Sequence, residues 1–220
     1  KNLGDLYLHA NQLDEALPVM RKNLSQAHFL YQDQDPPPPK LAALMLDLAN
    51  LFRLLGQLDS ARYYAERSLA LEQALFEPEN PELAITQMNL GQILMDQGQL
   101  GPAQAALNSA HQILAKHYEP GHARVKKLAL VEAELAFEQG NYDRAASDCE
   151  GLLAAYGAGS DHLAAKISTL DLLYRIAQGQ GQKSKAKAWW DQAMALLDQN
   201  PSDQSEVLRE SLLKTRDALR

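Results

Sequence analysis

One six-residue frame returns along the whole chain at nearly constant spacing. It reads GQLDSA at 56–61, GQLGPA at 98–103, GNYDRA at 140–145 and GQKSKA at 181–186, and NQLDEA at 11–16, where Asn11 replaces the glycine. The alanines that close the frames, Ala16, Ala61, Ala103, Ala145 and Ala186, lie 45, 42, 42 and 41 residues apart. A period in the range of about 20 to 50 residues is the mark of stacked supersecondary units, each too small to bury its own apolar face. A single central core is therefore not required of the 220 residues.

Each period reads as helix, tight turn, helix. Leu41, Leu44, Leu48, Leu51 and Leu55 recur three or four apart, which places them on one helical face. Gly56 then stops the helix by accepting a left-handed conformation without a side-chain clash. Asp59, and Asp14 in the first repeat, are expected to cap the helix that follows. Twelve residues before the closing alanines stand Gly4, Ala49, Gly91, Ala133 and Tyr174, mostly small residues suited to a close helix contact. Nine before them stand Tyr7, Phe52, Leu94, Ala136 and Ala177, a filler that shrinks toward the carboxyl end. Turn-rich joints such as QDQDPPPPK (32–40) and EPENPE (77–82) separate the pairs. The expected architecture is all-α: repeats at about 1–35, 36–79, 80–121, 122–160 and 161–200, then a capping helix over 203–219. Eleven helices follow, with breaks near 11, 56, 98, 140 and 181 and no sheet.

The stretches NLGDLYLHANQLDEA, DLANLFRLLGQLDSARYYAERSLALEQALFEPENPELA and NLGQILMDQGQLGPAQAALNSAHQIL resemble tetratricopeptide repeats of the longer kind found in kinesin light chains and bacterial signalling proteins. The resemblance covers nearly the whole chain. It implies a right-handed superhelical solenoid of antiparallel helix pairs forming one domain. A HEAT or armadillo reading of the period is opposed by the glycine turn followed by a packing alanine. Lys1 already falls inside the first helix of repeat one, so the chain is expected to be a segment of a larger protein.

Charge and motifs exclude several classes of function. The net charge is -7, and neither half is basic: residues 1–110 carry 7 Lys+Arg against 13 Asp+Glu, leaving 14 against 15 for the rest. Nucleic acid needs a concentrated cationic stripe, so it is not an expected partner. No run of about 18 apolar residues occurs, and no membrane association is expected. The opening KNLGDLYLHANQ lacks the pattern of a signal peptide. The single cysteine, Cys149, excludes an intramolecular disulfide. A cytoplasmic location is the default expectation. Cys149 shares the apolar register of Met20, Ala65, Leu107 and Trp190 and reads as a packed thiol. The histidines lack the spacing of three or four that a helical metal site needs. Glu132, Glu134 and Glu138 have no nucleophile to work with. No catalytic residue, metal or cofactor is expected, and the chain does not read as an enzyme.

The informative polar residues lie on the first helix of each pair. Fourteen before the closing alanines come Asn2, Asp47, Asn89, Val131 and Leu172; eleven before come Asp5, Asn50, Gln92, Glu134 and Arg175. In the resembled family this face lines a concave groove in which asparagines hold an extended peptide. An amide side chain suits that task, because it donates to a backbone carbonyl and accepts from an N–H. The expected groove comprises Asp47, Asn50, Arg53, Asn89, Gln92, Glu134 and Arg175. The expected function is a scaffold that binds a protein or extended peptide. The alternatives are a structural self-association module, or a peptide-sensing regulatory domain appended to a bacterial regulator or kinase.

Overall fold

The computed structural model describes residues 13–157 and 162–219. Among these residues ten helices and no strands occur: α1 (Leu13–Tyr31), α2 (Pro39–Leu54), α3 (Leu58–Leu75), α4 (Pro81–Asp96), α5 (Leu100–His117), α6 (Ala123–Glu138), α7 (Tyr142–Tyr156), α8 (Leu163–Gly179), α9 (Lys183–Gln199) and α10 (Asp203–Ala218). The helical class read from the sequence is the one observed. The expected first helix and the break near residue 11 lie outside the described residues. The chain forms two compact units, Lys1–Glu119 and Pro120–Arg220.

In the first unit, α2 to α5 make two antiparallel pairs. The Ser68 hydroxyl near the end of α3 donates to the Ala42 carbonyl near the start of α2 at 2.8 Å. Gly56 and Gly98 close the first helix of each pair with φ of 71° and 73°. The chain then tightens: the N–H of Gln57 donates to the Phe52 carbonyl at 2.9 Å, and that of Gly56 to the Arg53 carbonyl at 3.0 Å. This pair of bonds is the Schellman ending, and a residue with a Cβ would be strained at the glycine. The same bonds recur at Gln99 and Gly98, and in the second unit at Asn141 with Gly140 and Gln182 with Gly181.

Asp59 does not cap α3. The helix starts one residue earlier than expected, and its N-cap is Gln57, with no side-chain cap bond. Asp59 sits in the first turn, where its charge favours the helix dipole, and its carboxylate accepts from Gln97 Nε2 of the next repeat at 3.1 Å. Asp143 accepts from Gln180 Nε2 in the same way at 3.0 Å. The aspartate thus ties one turn to the next. The Asp14 side chain lies outside the described residues.

All five closing alanines are fully buried or nearly so. A Cβ added at Gly91 would come 2.7 Å from Leu107 Cδ2 and 3.0 Å from its Cγ, closer than packed carbons approach. Leu107 has no exposed surface and little room to yield. Gly91→Ala is therefore expected to destabilise the protein by about 1–3 kcal/mol despite its better helix propensity. Urea denaturation checks the sign, and a more stable variant would show that Leu107 repacks freely.

In the second unit, Ile167 and Leu170 of α8 pack with Ala193 and Leu197 of α9, which makes that pair antiparallel. Where the filler shrinks to Ala177, volume returns from Tyr174 and Trp190, whose rings lie 5.6 Å apart. Trp190 also meets the final helix through Arg216, 5.2 Å from the ring centroid. Leu212 of α10 is buried in the cluster formed by α8 and α9.

Candidate functional site

Two polar registers on the first helices were expected to form one face, and their burial separates them. Among the described residues, the register eleven before the closing alanine is partly accessible: Asn50, Gln92, Glu134 and Arg175 are all half-buried. The register fourteen before it turns inward. Val131 and Leu172 are core residues, and Asn89 is only 6% exposed. Asp47 alone in that register is exposed among the described residues. Asn89 therefore offers little accessible surface where the sequence placed it in the groove. Three residues advance a helix by about 300°, so the registers stand about 60° apart; the inner one is buried at Asn89, Val131 and Leu172 and exposed at Asp47.

In the first unit, α2 presents Asp47, Asn50 and Arg53, and α4 presents Gln92. Arg53 Nη1 bonds Asp96 Oδ2 of α4 at 3.0 Å, with both side chains partly accessible. The pair links adjacent first helices and engages the charge that was expected to meet a ligand. Asp96 was missed in the sequence because it stands seven before Ala103, outside both registers considered.

In the second unit, Arg175 Nη2 bonds Glu138 Oε1 at 3.2 Å, and its guanidinium lies 4.7 Å from the Phe137 ring centroid. Helix α10 closes this stretch. Leu208, Ser211 and Leu212 wall a cavity of about 140 Å³ together with Glu134, Asp171 and Arg175. Asp171 Oδ1 has no hydrogen-bond partner there. Burial pushes the Asp171 carboxyl above the ordinary range, while Arg175 and the Thr215 hydroxyl oppose the rise.

Burial pushes the Cys149 thiol up to about 12, so at neutral pH it stays protonated inside the core. Among the described residues, no three of His, Cys, Asp and Glu gather at metal-binding range. No helix described is long and apolar enough to cross a membrane.

Residues 40–116 match the family model described as tetratricopeptide repeat. No curated protein matches the sequence. Among solved structures, BtubC (BKLC) from P. vanneervenii is similar, with 22% identity and a TM-score of 0.69 over 91% of this chain and 79% of that one. The nearly identical TPR-like repeats of a kinesin light chain from Podosopora anserina share 21% identity, with a TM-score of 0.64 over 91% of this chain and 94% of that one. The Rap conjugation gene regulator of the plasmid pLS20, solved in complex with the Phr* peptide, gives a TM-score of 0.72 at 15% identity over 89% of this chain and 52% of that one. At these identities the likeness is one of fold.

Proposed function

We propose that this chain, which carries tetratricopeptide repeats, is a scaffold that binds an extended peptide segment of a partner protein on the first helices of its repeats. The observation that carries the reading is the placement of Asn50 and Gln92. They occupy one register on neighbouring first helices, each is partly accessible, and the Arg53–Asp96 pair fixes the surface beside them. Amides in a row suit a backbone, whose donors and acceptors alternate, and they make few demands on side-chain identity. Asp47 adds a negative edge. The peptide-bound Rap structure supports the reading, since its fold is alike and its ligand is a peptide. In the second unit, Glu134 and Arg175 occupy the same register as Asn50 and Gln92, with α10 alongside.

The test begins with peptides selected from a random display library against the intact chain. Asn50→Ala combined with Gln92→Ala removes two to four hydrogen bonds to a bound backbone, each worth about 0.5–1.5 kcal/mol, so affinity falls about tenfold or more. Both side chains lie outside the core, so the melting temperature moves little. Glu66→Ala, on exposed surface of α3, leaves affinity unchanged. Equal affinity in the double variant and the parent would place the ligand elsewhere.

A further inference from the structure

On the opposite side of α2 from Asn50, a cavity of about 450 Å³ opens between α1 and α3. Buried Leu24, Met45 and Leu48 form its floor, Arg21 and Arg67 stand at its edges, and no carboxylate lines it among the described residues. These two arginines differ from most others in the chain. Arg53, Arg62, Arg144, Arg175, Arg209 and Arg216 each meet a carboxylate within 4.0 Å. Arg21 and Arg67 instead lie over aromatic rings: the Arg21 guanidinium is 5.2 Å from the Phe52 centroid, and that of Arg67 is 5.6 Å from the Tyr63 centroid. Arg67 Nη1 also donates to the Tyr63 hydroxyl oxygen at 3.0 Å.

A ring orients a guanidinium without neutralising it. Both positive charges therefore remain available, next to an apolar floor, in a chain whose net charge is -7. An apolar cavity with a few convergent polar groups, of a volume in the usual range of about 300–1,000 Å³, is the general form of a small-ligand site. We propose that this cavity is a second binding site, separate from the peptide-binding face, for a small organic anion: a phosphate or carboxylate head held by Arg21 and Arg67, and an aromatic or alkyl body lying on Leu24, Met45 and Leu48. The Tyr63 hydroxyl, whose oxygen already accepts from Arg67, keeps its own proton to donate to the head group. A neighbouring cavity of about 560 Å³ shares His28, Met45 and Arg67, which gives a longer body room to extend.

Phenyl phosphate is the probe, titrated calorimetrically into the intact chain at low salt, with benzoate, inorganic phosphate and phenol as comparisons. Saturable binding of phenyl phosphate is expected, about tenfold or more tighter than inorganic phosphate or phenol, because only the complete ligand uses both parts of the site. Benzoate distinguishes a carboxylate head from a phosphate. Arg21→Gln and Arg67→Gln are each expected to weaken phenyl phosphate about tenfold and to leave the melting temperature in place, since both side chains are exposed. Asn50→Ala with Gln92→Ala leaves this binding untouched, so the two sites are tested separately. No saturable binding up to about 10 mM would overturn the proposal. So would unchanged binding in the double arginine variant, or inorganic phosphate binding as tightly as phenyl phosphate.

Discussion

Phe52→Ala is expected to lower stability by about 3–5 kcal/mol, the range for emptying a large aromatic from a core that cannot collapse around the space. Phe52 is 1% exposed, and its ring stacks on Tyr64 with centroids 5.5 Å apart and planes 11° from parallel. Its neighbours on α2, Leu48 and Leu51, are fully buried and fixed on the same helix, so they cannot swing in to fill the void. The loss includes the ring contact with Tyr64 and the seat of Arg21. Phe52→Leu provides the comparison, because the next repeat carries Leu94 at this register, also in the core. A leucine should cost about 1.5 kcal/mol or less once the surroundings repack. Hydrogen exchange across residues 39–75 reads both variants, and similar protection in Phe52→Ala and the parent would show that this register does not hold the repeat together.

Period, turns and close contacts were legible because each depends on local backbone geometry. Gly56, Gly98, Gly140 and Gly181 all have positive φ, and a positive φ leaves its mark on sequence as glycine. The closing alanines were legible for a similar reason, since a helix contact without room admits little else. The end of a turn was less so. Asp59 has the chemistry of an N-cap, but the Schellman ending already places Gln57 at the helix start, and the carboxylate is left for Gln97. No property of Asp59 alone distinguishes the two roles.

The site was harder to read than the fold. Asn50 and Asn89 are the same residue on equivalent helices at registers about 60° apart, and one is accessible while the other is buried; Asp47, at the register of Asn89, is exposed, so register alone does not encode burial. The ion pairs Arg53–Asp96 and Arg175–Glu138 join neighbouring first helices with the carboxylate at the same register, seven before the closing alanine, but with the arginine at two different ones. Their pairing depends on side-chain reach across a packed interface, which the repeat spacing does not encode. The arginine-edged cavity is likewise assembled from three helices, and its signal is that no carboxylate among the described residues pairs with Arg21 or Arg67, visible only once the other pairs are placed.

Leu212→Asp is expected to release α10 from the second unit. Leu212 is 3% exposed and packs with Ile167, Leu170, Ala193 and Leu197, so the substitution both removes apolar burial and forces a carboxylate into an apolar cluster. A loss of about 3 kcal/mol or more exceeds what one short helix gains by docking through a few further contacts, so undocking is the cheaper response. Both tryptophans of the chain, Trp189 and Trp190, lie beside this cluster, and Arg216 of α10 covers the Trp190 ring. Release should therefore shift tryptophan emission to the red and speed hydrogen exchange across 163–199. Asp171 supplies a readout that general unfolding would not give in a protein that keeps its helices. Its carboxyl is held above the ordinary range by burial under α10, so undocking should bring its titration down toward that of a solvated aspartate. Because a raised carboxyl favours the docked state only while protonated, docking in the parent should be strongest below the ordinary aspartate range and weaken as pH rises through the raised value. Asp171→Asn should remove that dependence. Unchanged emission and Asp171 titration in Leu212→Asp would mean that α10 is held by contacts other than the buried leucine.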